Sequence, residues 1–171
     1  GTNGKGSSVA MTSSILMAAG YKTGTYTSPH LLAYNERIAI NGQPCSDQQI
    51  CDAFARIDEA RGDISLTYFE FATLAAAEIF RLEKVDIAVL EVGMGGRLDA
   101  VNLFDTDIAL ITPIGLDHTA WLGDTREKIA YEKAGIIRPM TPVVCSETVP
   151  PSSLLEHARK QNAPLYKAGE A

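Results

Sequence analysis

Long apolar runs are missing from this chain. No stretch is long and uninterrupted enough to cross a bilayer, and no charged-then-apolar leader stands before Gly1, so neither a membrane span nor a secretory leader is expected. Cysteine is scarce. The three present, Cys45, Cys51 and Cys145, are odd in number and have neither CxxC nor metal-ligand spacing, which argues against a disulfide framework and fits reduced thiols. Charge of one sign is nowhere concentrated: the net charge of -6 is spread along the chain, and no run of Lys and Arg resembles a nucleic-acid footprint. Repeats, linkers and low-complexity tracts are absent too. These absences leave a soluble cytoplasmic domain, with no membrane and no nucleic acid as partner, as the expectation. A methionine start is lacking as well, and because a native chain rarely opens inside a functional loop, a fragment or excised domain is expected.

What is present suits one full-sized α/β core: 171 residues, 46% of them hydrophobic, are too few for two comfortable domains. Met11, Ile15, Ala18 and Ala19 fall at helical spacing with Gly20 as the stop. Lys22 to Thr27 reads as a strand running into Ser28-Pro29-His30, and Arg37 to Ile40 followed by Asn41-Gly42 reads as an exposed hairpin. Ser46 to Arg61 is an amphipathic helix capped by Ser46, with Ile50, Phe54 and Ile57 on one face. Phe69 to Leu82 is apolar nearly all round and reads as a buried helix. Ile87 to Leu90, Ile108 to Ile111 and Val143 to Cys145 are continuous apolar runs, as in strands covered on both faces of a parallel sheet. Asp124 and Glu127 start a helix over Arg126 to Ile137, and Leu154 to Gln161 forms a final surface helix. The fold class that follows is α/β, a doubly wound, mostly parallel sheet, whose ligands sit at the carboxyl ends of strands.

The opening stretch GTNGKGSS has the residue types of a phosphate-binding loop: glycines that bare the backbone N–H groups, Lys5 for the phosphates, a hydroxyl at Ser7 and a helix start behind them. A strand ahead of it is missing, and Gly6 stands where Ser or Thr follows the lysine in the common motif, so a plain glycine-rich turn is the alternative. Glu91 ends the Ile87 to Leu90 strand just before Gly93-Met94-Gly95-Gly96-Arg97-Leu98-Asp99, a placement that suits Mg²⁺ and equally describes a solvated strand-end acid. Arg97 and Asp99 either pair with each other or bind a polar substrate. Asp117-His118 follows another strand, which favours a functional His118 over a structural one. His30 has a turn-stabilising role open to it, and His157 is expected to be solvated. Lys133 reads as an ordinary exposed lysine paired with a neighbouring acid.

Taken together, GTNGKGS, TSPHL, TYFEF, EVGMGGRLDA, LDHTAWLG and EKAGI occur in the order and approximate spacing of the folylpolyglutamate synthase/dihydrofolate synthase family of Mur ligases, and this resemblance covers nearly the whole chain. It implies a central ATPase domain with P-loop NTPase-like topology over residues 1–171, lacking the strand before the loop and a C-terminal ligase domain. It implies ATP- and Mg²⁺-dependent addition of L-glutamate to dihydropteroate or folates through an acyl phosphate, by a parent enzyme that is monomeric, with no ligase activity in the isolated piece. Thr2, Asn3, Gly4 and Lys5, with Gly6 and Ser7, would hold the ATP phosphates. Gly6 is itself the family's usual residue there. Ser28, Glu91 and His118 would ligate magnesium, and a carbamylated Lys133 would help hold a second ion. Lys5, His118 and Lys133 are the catalytic set so implied. Thr67, Tyr68, Phe69 and Glu70, with Leu98, Asp99 and Ala100, would contact the pterin substrate, although Phe69 also suits a core and Asp99 a partner for Arg97. A P-loop small-molecule kinase and a fragment that only binds nucleotide are the competing readings.

Overall fold

The computed structural model describes residues 2–169. Gly1, first in the glycine-rich opening, and the last two residues of the expected 1–171 domain lie outside the described residues. The chain divides into two compact units, Gly6–Gly93, and Met94–Ala171 together with Gly1–Lys5.

In the first unit, helix α1 (Lys5–Ala18) leads to strand β1 (Thr23–Tyr26), a 3-10 turn over Tyr34–Arg37, strands β2 (Ile38–Ile40) and β3 (Gln43–Pro44), helices α2 (Asp47–Arg61) and α3 (Tyr68–Glu83), and strand β4 (Ile87–Leu90). The sheet runs β3-β2-β1-β4, antiparallel from β3 to β1 and parallel between β1 and β4. Asn41 and Gly42 both take positive φ angles, 47° and 73°, so the hairpin signal holds. The hairpin is nevertheless no exposed excursion: Ile38 and Ala39 are buried core residues. Ser46 caps α2 by accepting from Gln49 N, worth about 1 kcal/mol. Its Ile50 and Ala53 are buried, with Phe54 and Ile57 half-buried beside them. Helix α3 buries Ala72, Thr73, Ala75, Ala76, Ile79 and Phe80. The expected stripe on α1 is wrong. Val9 and Ser13 face inward while Met11 and Ile15 are exposed, because apolar residues occur on several faces of this helix and a Ser13 Oγ to Thr23 Oγ1 contact of 3.3 Å on β1 marks the inner one.

The second unit holds β5 (Ala109–Ile111), a single helical turn α4 (Thr119–Leu122), α5 (Arg126–Ala134), β6 (Val143–Cys145), α6 (Ser152–Lys160) and β7 (Leu165–Lys167). Its three strands are parallel in the order β5-β6-β7. Ile111, Ile129, Ala130, Ala134, Val143 and Leu154 centre the core between the sheet and the two longer helices. The continuous runs are therefore covered on one face only: Leu110 and Val144, one residue along from buried neighbours, are exposed, since successive strand residues point to opposite faces. In strand β4, by contrast, Ala88 is exposed while Ile87, Val89 and Leu90 are half-buried.

The fold is α/β, with three parallel pairings against two antiparallel ones among the described residues, and the antiparallel hairpin makes the first sheet mixed. Thr125 rather than Asp124 caps α5, accepting from Lys128 N, and Asp124 instead pairs with the Lys128 ammonium at 2.8 Å. The helix stops at Ala134, short of the expected Ile137. Glu127 reaches to the start of α6, where it accepts from Ser152 N at 3.1 Å and Ser153 N at 2.8 Å and supplies the cap that Pro151 lacks. Among the described residues no helix is long and apolar enough to cross a membrane, and all three cysteine thiols are free.

Two outcomes follow from this packing. A Cβ on Gly24 would fall 2.6 Å from the Phe80 ring, so Gly24→Ala is expected to cost about 1–3 kcal/mol, read as a lower urea midpoint with unchanged slope. The Ser153 and Ser152 N–H groups hold the Glu127 carboxyl below its ordinary range, with the Ser153 hydroxyl also contributing. A depressed folded-state value contributes stability that is present above the ordinary glutamate range and lost as pH falls through the lowered one. Glu127→Gln should accordingly lower the melting temperature near neutral pH and converge on wild type in acid; a gap that persists in acid would contradict the cap.

Candidate functional site

Each unit carries part of the candidate set. In the first, β1 and β4 lie parallel and in register from Thr23 opposite Ile87 to Tyr26 opposite Leu90, so the chain leaves both strands at the same end. Ser28 and Glu91 therefore emerge side by side. Ser28 N donates to Glu91 Oε2 at 3.2 Å, Glu91 N donates to Tyr26 O at 2.8 Å, and Glu91 is only 7% exposed. Gly6, in the first turn of α1, comes close to this carboxylate: a Cβ built on it would stand 3.7 Å from Glu91 Oε2. Ser7 is exposed on the same turn. A buried carboxylate beside a serine at the carboxyl end of a parallel pair, approached by a glycine at a helix N-terminus, offers hard oxygen donors of the kind magnesium takes. The solvated-acid alternative for Glu91 does not hold.

The loop between β1 and the 3-10 turn contains a cis peptide at Ser28-Pro29. His30 accepts from Arg37 Nε at 2.8 Å through Nδ1, which is the turn-stabilising role left open for it. At the start of α3, Thr67 and Glu70 form a reciprocal capping box: Glu70 Oε2 accepts from Thr67 N at 2.7 Å, and Thr67 Oγ1 accepts from Glu70 N at 3.3 Å. Those backbone and hydroxyl bonds hold the Glu70 carboxyl below its ordinary range. Tyr68, between them, presents an exposed ring, while Phe69 packs on Tyr26 with centroids 5.9 Å apart.

In the second unit, Thr2 is anchored. Its N donates to Pro113 O at 2.7 Å, its hydroxyl donates to Gly115 O at 3.0 Å, and Gly115 N donates back to that hydroxyl at 2.9 Å. Asn3 is exposed, and Gly4 has φ +82°, a conformation that favours glycine and lets the chain turn into Lys5. Lys133, on α5, is 5% exposed, so it is not the ordinary surface lysine its helix suggested. Burial pushes its ammonium down, the nearby Lys5 charge adds to that, and Asp117 opposes it. A lysine so placed gives up its proton more readily than an exposed one. His118 adopts a left-handed backbone (φ 49°) ahead of α4, donates its N–H to Asp117 Oδ1 at 2.8 Å, and keeps its ring exposed.

Arg97 does not pair with Asp99. Its guanidinium binds Glu132 on α5, with Nη2 to Oε1 at 3.0 Å, and its N–H donates to Glu132 O at 2.8 Å. Asp99 accepts from Val101 N at 3.0 Å and Met94 N at 2.8 Å, which folds the glycine-rich loop. Leu98 is exposed and Ala100 half-buried at the turn. A cavity of roughly 470 Å³ opens beside Trp121, Tyr131 and Glu132, but no candidate ligand residue lines it. Among the described residues no three His, Cys, Asp or Glu side chains form a metal-ligating group. The residues that motif reading passed over are Arg37 and Tyr34, since neither periodicity nor spacing marks a lone arginine in a 3-10 turn.

The Mur ligase middle domain profile matches residues 1–171. The dihydrofolate synthase/folylpolyglutamate synthase of Escherichia coli K12 is 50% identical over 169 residues, covering 99% of this chain and 40% of that protein. The mitochondrial folylpolyglutamate synthase of Bos taurus is 44% identical over 97% of this chain and 30% of its own length. Among solved structures, E. coli FolC with ADP superimposes with a TM-score of 0.97 at 50% identity, over 98% of this chain and 41% of that one. A bifunctional folylpolyglutamate synthase/dihydrofolate synthase with Mn, AMPPNP and L-glutamate bound gives 0.93 at 51% identity, over 97% and 41%. The chain thus spans about two-fifths of the length of the bacterial relatives it matches. With the profile matched from end to end and half of its residues shared with such relatives, the chain belongs to the Mur ligase middle-domain family.

Proposed function

We propose that these residues form the ATP-handling part, with P-loop NTPase-like topology, of a longer cytoplasmic and monomeric amide ligase that joins L-glutamate to dihydropteroate or folates. The observation that carries the reading is Lys133: an amine buried to 5% exposure and pushed toward its neutral form beside a second lysine, in a chain half-identical to such ligases. A neutral amine can react with CO₂, and the carbamate formed exchanges a buried cation for a buried carboxylate-like ligand. Relatives crystallised with ADP, and with Mn and AMPPNP, make a nucleotide and a divalent cation the companions to expect.

In this reading Thr2, Asn3, Gly4, Lys5, Gly6 and Ser7 hold the ATP phosphates, and the anchoring of Thr2 to Pro113 and Gly115 keeps the loop's entry in place. Ser28, Glu91, His118 and carbamylated Lys133 serve two divalent cations, which when bound neutralise phosphate charge. Tyr68, Phe69 and the turn of Leu98, Asp99 and Ala100 face the pterin substrate, with the Thr67–Glu70 box setting the start of α3. Lys5 stabilises the γ-phosphoryl group as it moves to the substrate carboxylate. The α-amine of glutamate then attacks the acyl phosphate, forms the amide C–N bond and expels phosphate. Most of the rate enhancement comes from positioning and charge neutralisation.

Two measurements test this. Intact-protein mass spectrometry in bicarbonate should show an adduct of one CO₂, lost in Lys133→Ala; a bare amine at Lys133 would refute the carbamate. Phosphate release by the full-length enzyme that carries this chain should require dihydropteroate or a folate together with L-glutamate. Release without glutamate would favour a kinase, and glutamate addition by residues 1–171 alone would overturn the need for a second domain.

A further inference from the structure

Arg37 is a charged side chain almost out of water, 8% exposed, in the 3-10 turn that follows the Ser28–His30 loop. Its guanidinium carbon lies 5.7 Å from the Tyr34 ring centroid and 5.6 Å from that of Tyr68, and those centroids are only 6.2 Å apart, so the two rings form one aromatic wall on the same side of the cation. Nε is used by His30 Nδ1. A ring that accepts at Nδ1 carries its proton on Nε2 and contributes no negative charge. The two terminal nitrogens have no acceptor among the described residues, and they are not sealed from solvent.

Three acids of the neighbouring turns are committed elsewhere. Glu36, adjacent in sequence, accepts from Leu31 N, Leu32 N and Ala33 N at 2.8, 2.8 and 2.7 Å. Glu70 belongs to the capping box, and Asp47 accepts from Asn35 Nδ2 at 2.8 Å. No ion pair reaches Arg37 among the described residues. Tyrosinate is no substitute, because burial pushes the Tyr34 phenol up to about 12. The Tyr34 hydroxyl is itself buried without a partner. Among the described residues the cluster thus holds no paired anion, around a cation whose burial is costly without one.

We propose that Arg37 binds the carboxylate of an aromatic acid, its terminal nitrogens gripping the two oxygens while the Tyr68 ring, on the first turn of α3, lies along the ligand. A carboxylate is acceptor-only and planar, matching the paired N–H groups of a guanidinium. Tyr68 is 62% exposed, so its ring is reachable from solvent. That the acid is pteroate or a folate rests on the function proposed above; that the site takes an aromatic carboxylate does not.

The test separates the two. In the wild-type chain, benzoate should shift the Arg37 Nε–Hε NMR resonance saturably, and benzamide, which has the same ring without the charge, should not. Equal responses to both, or none to benzoate, overturn the site. Pteroate should bind wild type at least about tenfold more tightly than Arg37→Met, as loss of a charge-assisted pair implies. A pterin lacking the benzoyl carboxylate should bind both equally. Arg37→Lys, which keeps the charge but not the fork, should fall between them and serves if Arg37→Met does not fold. Unchanged pteroate affinity in the folded variants would also overturn the site, whereas a wild type that takes benzoate and ignores pteroate keeps the site and refutes the ligase reading.

Discussion

Beside the buried Lys133, a glycine allows two backbones to touch. A Cβ on Gly96 would sit 2.7 Å from Glu132 O and 3.0 Å from Lys133 O, so only glycine lets the loop before Arg97 lie against the end of α5. Gly135 answers from the other side, where a Cβ would collide with Arg97 Cβ. The approach is then fastened by Arg97 N to Glu132 O and by the guanidinium on the Glu132 carboxylate. Through this contact the glycine-rich loop, the turn capped by Asp99 and the lysine on α5 become one piece of rigid architecture. The fastening ion pair is solvent-exposed and contributes little by itself. The close packing does the holding.

Buried charge is the common theme of the candidate chemistry. Glu91, Lys133 and Arg37 are each more than nine-tenths buried, and ionisable groups are seldom left so without a partner or a task. Glu91 takes the Ser28 N–H at the end of a parallel strand pair. Lys133 is pushed toward neutrality, and Arg37 is walled by tyrosines.

Much of this was legible in the order of residues. The hairpin at Asn41-Gly42, the Ser46 cap, the buried face of α3 and the strand-end position of Glu91 follow from local rules, because turn chemistry, capping and periodicity act over a few residues. Motif order carried the family. The failures have a shared cause. Met11 and Ile15 on α1 satisfy helical spacing as well as the true inner face does, so only contact with β1 could choose between them. Leu110 and Val144 belong to runs apolar enough for a two-sided sheet, yet the described residues cover one side. Glu127 looked like the cap of its own helix and instead caps α6, which lies 25 residues further along at Ser152.

The sequence by itself determined the local units: which segments coil or extend, where they stop, and which family of chains they belong to. Tertiary structure alone decided that Lys133 is buried, that Arg97 chooses Glu132 over Asp99, and that Arg37 lies against a pair of tyrosines with no ion-pair partner among the described residues. The physical reason is that burial and pairing are properties of surfaces brought together from distant parts of the chain. A residue's chemistry is named by its type, but its charge state and partner are set by what the fold places within a few ångströms of it.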